Sequence, residues 1–118
     1  MLTVLDKDAI KTFLLICKKE IPKGHCLFIN RKLKIGNKIM SSRQALLDIG
    51  ITKEKQLWDI VLELKEDECV KIDFDYNPRM DMNSEIFVFK KVINKKMVYI
   101  KLTMRRNGII CISFHESY

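Results

Sequence analysis

The chain is poor in the residues that break, staple or metallate a protein. Its 118 residues include four glycines, two prolines, four cysteines and two histidines. With so few breakers there is no linker, internal repeat or low-complexity tract, and one domain over 1–118 is expected. Cys17, Cys26, Cys69 and Cys111 form no C-x-x-C pair, and three of them lie inside apolar runs. That pattern argues against a zinc ribbon and a disulfide framework, and reads as reduced thiols of a cytoplasmic protein. A zinc site from Cys26, Cys69, His25 and His115 has no ligand spacing behind it, so neither a metal nor a small-molecule cofactor is expected. The apolar runs fall far short of the ~18 residues that span a bilayer, so no membrane partner is expected either. Nor is a signal peptide. There is no P-loop, G-x-G-x-x-G, paired-histidine metal motif or G-x-S-x-G elbow.

Acidic residues are outnumbered, 15 against 22 lysines and arginines, and the formal charge is +7. A chain of that sign suits an anionic partner, nucleic acid or an acidic protein. The plainer alternative is a charge that keeps the protein soluble.

Asp6 is placed to cap a helix over Lys7–Glu20, whose Ile10, Phe13, Leu14 and Cys17 form one buried stripe. Pro22 and Gly24 end it. Cys26–Ile29 reads as a short buried strand. Asn30–Lys38 is basic and reads as a loop or edge segment. It is either a run of charges that blunts an edge or an arm whose Arg31 and Lys32 touch phosphates. Ser41 with Gln44 makes a capping box for a helix over Ser42–Asp48, stopped by Gly50. Thr52 caps a third helix, Lys53–Leu64, with Leu57, Ile60, Val61 and Leu64 inward. Trp58 beside that stripe is a packing residue before it is a platform for bases.

After Lys65–Glu68 the period changes from helical to two. Val70, Ile72 and Phe74 alternate with Lys71, Asp73 and Asp75. Asn77–Ser84 is a loop rich in breakers, and Ile86–Val92 is a strand. A two-residue turn at Asn94–Lys95 then sets Phe87 and Phe89 opposite Leu102 and Ile100, and Lys90 opposite Tyr99. The last hairpin, Met97 to His115, has two candidate registers. A two-residue turn at Asn107–Gly108 would put Tyr99 opposite Glu116 and mix both faces. A three-residue loop, Arg106–Gly108 with Gly108 left-handed, sets Tyr99 opposite His115 and Lys101 opposite Ser113. It gathers Val98, Ile100, Leu102 and Met104 with Ile110, Ile112 and Phe114 on the other face. The second register is expected because it leaves one face wholly apolar. The fold class is therefore α+β, with N-terminal helices over 1–64, a short strand near 26–29, and an antiparallel sheet of at least four strands over 69–116.

The polar face of that sheet carries Lys71, Lys90, Tyr99, Lys101, Ser113 and His115, with Arg105 and Arg106 near the hairpin tip. Such a set suits cleavage of an RNA phosphodiester. A 2′-hydroxyl attacking phosphorus needs a base, an acid for the leaving 5′-oxygen, and cations beside the non-bridging oxygens. The imidazole of His115 serves as either base or acid. Lys71 and Lys101 supply charge, and Tyr99 orients or protonates. Lys90, Arg105, Arg106 and Ser113 would contact the strand. No acid orients His115 in an obvious way; Asp73 and Asp75 stay open. The plain alternative is the solvent face of a half-buried sheet.

Val98-Tyr99-Ile100-Lys101-Leu102 followed by Cys111-Ile112-Ser113-Phe114-His115-Glu116 resembles the C-terminal hairpin of MqsR-type toxins of bacterial toxin–antitoxin systems. Leu64–Lys71 is similar to the segment of that family that ends in Tyr-Lys, and Arg43–Gly50 to its short helix before a Leu-Gly turn. The likeness runs in order from Arg43 to Glu116. It implies a RelE-like fold and a metal- and ribosome-independent endoribonuclease that cuts mRNA. It also implies a cognate antitoxin, with a DNA-binding domain. The family's active-site lysine falls on Lys71 and its tyrosine on Tyr99. Its glutamine falls on or near Ile86, which cannot do a glutamine's work; some relatives carry lysine where His115 stands. The alternative function is a non-catalytic basic module of the same fold that binds RNA or DNA.

Overall fold

The computed structural model describes residues 6–30, 32–35, 37–77, 82–106 and 108–117. Helix α1 spans Lys7–Glu20 and opens on Asp6, whose carboxylate accepts the Ala9 amide at 3.1 Å. A 3-10 turn, Ile21–Lys23, ends at Gly24, which stands at φ +83°. Strand β1 is Cys26–Phe28. Strands β2, Lys32–Ile35, and β3, Lys38–Ser41, pair antiparallel as a sheet of their own. Thus the basic stretch expected as a loop or edge segment is largely a hairpin. Lys32 and Lys34 alternate with Leu33 and Ile35, a period-2 signal that the charge of the run overshadowed.

Helix α2, Ser42–Asp48, begins where Ser41 Oγ accepts the Gln44 amide. Helix α3, Glu54–Leu62, begins where Gln56 Oε1 accepts the amides of Thr52 and Lys53 at 2.9 and 3.1 Å. These bonds satisfy donors that a helix start leaves orphaned. The remaining strands are β4, Cys69–Asn77; β5, Met82–Ile93; β6, Lys96–Arg105; and β7, Gly108–Glu116.

The main sheet has five strands in the order β1-β7-β6-β5-β4. Four are antiparallel neighbours, as expected. The fifth, β1, joins β7 in parallel, so the sheet is mixed. The helices lie on one side, and the α+β reading holds. Ile10, Phe13, Leu14 and Cys17 of α1 and Leu57, Trp58 and Val61 of α3 pack with Phe87, Phe89, Val98, Ile100, Leu102, Cys111 and Phe114 of the sheet. Phe13 stacks on Phe87 with ring centroids 4.1 Å apart. Burying one such aromatic contributes ~2–3 kcal/mol. Trp58 is a core residue.

Two bulges tune this sheet. At Val70 an extra residue leaves Cys69 inside and Val70 exposed, where simple alternation had put Val70 inside. In β7 the extra residue is Ile112. Near the tip Arg105 pairs with Gly108, Met104 with Ile109 and Leu102 with Cys111; beyond the bulge Lys101 pairs with Ser113 and Tyr99 with His115. The expected register at Tyr99 is present, but the bulge produces it rather than a three-residue loop. Ile109–Ile112 is a continuous apolar run, so alternation is silent there. Met104, expected inward, is 47% exposed. The β5–β6 turn is Asn94–Lys95 as expected, both residues with positive φ, 50° and 67°. Asn94 Nδ2 donates to the Ile49 carbonyl at 2.7 Å and Lys96 Nζ to the Asp48 carbonyl at 2.8 Å, which ties this turn to the end of α2.

Candidate active site on the sheet face away from the helices

Pairing register decides which side chains meet on this face. Three rungs cross it. The first holds Lys90, Tyr99 and His115. The second runs Lys71, Val88, Lys101 and Ser113. The third runs Asp73, Ile86, Thr103, Ile110 and Leu27.

Tyr99 and His115 stack, with ring centroids 5.5 Å apart and planes 29° off parallel. Lys101 Nζ lies 5.6 Å from the centre of the Tyr99 ring, close enough for a cation–π attraction. Phenol, imidazole and ammonium therefore stand together on this face. Lys71 and Lys101 are the two register partners of Val88, so their Cα atoms are ~10 Å apart, two strand spacings. Side chains of that length converge easily on one phosphate.

The imidazole is oriented by the backbone. His115 Nδ1 lies 2.9 Å from the Glu116 carbonyl oxygen. A carbonyl only accepts, so Nδ1 carries the proton and Nε2 is left for chemistry. Asp73 does not orient the histidine; its Oδ2 is 3.3 Å from Lys71 Nζ, with both groups roughly half exposed. The Asp75 side chain lies outside the described residues.

The face has a dry floor that simple alternation did not foresee. Val88 and Thr103 are fully buried, and Ser113 is 4% exposed. Thr103 Oγ1 donates to the Glu85 carbonyl at 2.8 Å, so its hydroxyl is engaged within the sheet. Ser113 is floor rather than rim. Ile86 sits on this face, between Asp73 and Thr103 on the third rung. No polar side chain stands in its place.

The other expected contacts are scattered. Lys90 is exposed beside Tyr99. Arg105 is six residues along β6 from Tyr99, ~20 Å at strand rise. With Arg106 it lines a separate cavity near the end of α1. Lys32 is exposed on the two-stranded sheet, and Arg31 lies outside the described residues. Among the described residues no three His, Cys, Asp or Glu side chains gather as a metal site, and no helix is long and apolar enough to cross a membrane. Burial raises all four thiols, Cys17 to about 12, so none is poised as a nucleophile.

Fold and face together define an α+β protein with a cationic, phenol- and imidazole-bearing sheet surface. The family model described as motility quorum-sensing regulator, toxin of MqsA, matches residues 27–116. The chain belongs to that family, the MqsR toxins, and is thereby the toxin of a toxin–antitoxin pair whose family antitoxin is MqsA. The match takes in β2, β3 and all of β1 but Cys26, ahead of the Arg43–Glu116 likeness read from the motifs. No curated protein and no solved structure matches the chain.

Proposed function

We propose that this toxin is an endoribonuclease that cuts mRNA without the ribosome and without a metal, by attack of a 2′-hydroxyl on the adjacent phosphorus. The observation that carries the reading is the Tyr99–His115 stack with Lys101 over the phenol, facing Lys71 across Val88.

In the reaction a base removes the 2′-hydroxyl proton, O2′ bonds to phosphorus, and the bond from phosphorus to the 5′-oxygen breaks. The leaving oxygen takes a proton from an acid. His115 Nε2 supplies one of the two proton transfers and the Tyr99 hydroxyl positions or supplies the other. Lys71 and Lys101 stabilise the extra negative charge that builds on the non-bridging oxygens. Thr103 and Val88, buried beneath, keep water from the underside of the site. Lys90 holds the strand beside Tyr99. The substrate is cytoplasmic mRNA of a bacterial host, and the antitoxin, carrying a DNA-binding domain, silences the enzyme and regulates its own operon.

The test is a gel of end-labelled RNA incubated with purified protein in EDTA. Fragments ending in 2′,3′-cyclic phosphate are expected, and Lys71→Ala and Tyr99→Phe should abolish them while the protein stays folded. A second reading has one observation in its favour: Ile86 on the third rung leaves the face short of a polar group, and Lys71 is already paired with Asp73. On that reading the face binds RNA with strong salt dependence and no turnover.

A further inference from the structure

A second charged cluster lies away from the Tyr99 face. It lines an open cavity of about 430 Å³ bounded by Ile16, Glu20, His25, Met104, Arg105 and Arg106. His25 is tied to Glu20 twice. Its ring Nδ1 is 2.7 Å from Glu20 Oε2, and its backbone amide donates to the Glu20 carbonyl at 3.1 Å. Its own carbonyl accepts the Ile109 amide at 3.0 Å, which fixes the base of the β6–β7 hairpin against β1. Gly108 makes that approach feasible, since a Cβ there would fall on the His25 carbonyl. The ring is held against Glu20 although its side chain is 55% exposed.

The chemistry of the walls says which ligand. Arg105 and Arg106 both line the cavity, which gives it a basic wall suited to an anion. Guanidinium groups match phosphate oxygens in pairs. Met104, 47% exposed, and Ile16 give an apolar wall against which a flat base can lie. Glu20, its carboxyl held below the usual range chiefly by the His25 hydrogen bond, stays charged and accepts from an exocyclic amine. Phosphate, apolar ring and amine together describe a nucleotide.

We propose that this cavity is a second nucleotide-binding subsite that grips the same RNA strand away from the bond being cut. The inference rests on the endonuclease reading of the Tyr99 face. For a stacked strand, the ~20 Å along β6 from Tyr99 to Arg105 corresponds to about six nucleotides at a ~3.4 Å rise. Strands of at least that length should use both sites; a tetranucleotide should reach one.

The test measures binding of 2′-O-methyl oligoribonucleotides, which lack the attacking hydroxyl, to the full chain at two lengths, four and twelve nucleotides. Fluorescence anisotropy is read for the unmodified protein and for Arg106→Ala, His25→Ala and, as a charge control, Lys55→Ala on the helix side. Arg106→Ala should weaken the twelve-mer about tenfold and lower its salt slope by about one, while changing the tetramer less than twofold. His25→Ala should weaken the twelve-mer several-fold, and Lys55→Ala less than twofold. Equal losses at both lengths, no loss at either, or a loss for Lys55→Ala as large as for Arg106→Ala overturns the subsite. So does a loss of antitoxin binding in Arg106→Ala with RNA binding intact, which would make the cavity a protein-docking site. Cleavage of RNA by the unmodified protein separates the two claims. If RNA is cut but the twelve-mer ignores Arg106, the subsite alone fails; if RNA is neither cut nor bound, both fail.

Discussion

Replacing Gly108 by alanine strikes the junction on which both ends of the last hairpin depend. Gly108 stands at φ +121°, a region that L-residues scarcely occupy, which costs ~1–3 kcal/mol for a residue with a Cβ. The added methyl also meets the His25 backbone, so the Ile109–His25 hydrogen bond must lengthen or break. Losing that bond costs ~1 kcal/mol, more if the donor is left buried and unpaired. Alanine returns ~0.5 kcal/mol by restricting the unfolded chain. The net loss is about 2–4 kcal/mol. For a chain this long that shifts Tm by ~8–16 °C. Thermal unfolding followed by circular dichroism, repeated in urea, reads it directly. A loss below ~0.5 kcal/mol would refute the close approach of β7 to His25 and the parallel seating of β1.

Tyr99→Phe should lower RNA cleavage ~100-fold or more while Tm moves by no more than ~2 °C, because only one hydroxyl on a partly buried ring is lost; kinetics beside calorimetry checks both. Lys71→Ala should cost under ~1 kcal/mol in urea unfolding, since its Asp73 partner is roughly half exposed, yet remove most cleavage. Phe114→Ala should cost ~3–5 kcal/mol, for the ring is 1% exposed in the helix–sheet core. The Cys17 thiol, pushed up to about 12 by burial, keeps its proton where an unfolded thiol, near 9, gives it up. Its contribution is therefore complete below about pH 9 and declines at up to ~1.4 kcal/mol per unit as pH rises toward 12. Urea midpoints at pH 8 and 10.5 should fall less in Cys17→Ala than in the unmodified chain.

The sequence made α1 and the β5–β6 turn legible because their signals are local. Asp6, the Ile10–Cys17 stripe, Pro22 and Gly24 bound the helix, and Asn94–Lys95 accepts the positive φ that a two-residue hairpin requires. The meeting of Tyr99 with His115 was legible through the demand for one apolar face, although the extra residue proved to be Ile112. Pairing of β1 with β7 joins Leu27 to Ile110, far apart in the chain, and no nearby pattern encodes it. The Ile112 bulge sits in the apolar run Ile109–Ile112, where alternation carries no information, and at Val70 alternation misleads because its neighbour Cys69 is apolar too. In the site, the residues on β4 to β7 could be gathered by register. Burial of Val88, Thr103 and Ser113 could not, because alternation tells which face a residue is on and not how deeply it is covered. Nor did position near a hairpin tip reveal that Arg105 and Arg106 face a cavity at α1.

The central claim is that the Tyr99, His115, Lys101 and Lys71 face performs chemistry on RNA. The most direct measurement is single-turnover cleavage of one labelled RNA, in chelator, by the unmodified toxin and by His115→Ala, with each protein's fold checked by circular dichroism. A fragment bearing a 2′,3′-cyclic phosphate, formed by the unmodified chain and slowed ~100-fold or more by the substitution, is the outcome expected. Intact RNA in both lanes, or equal cutting in both, would contradict it.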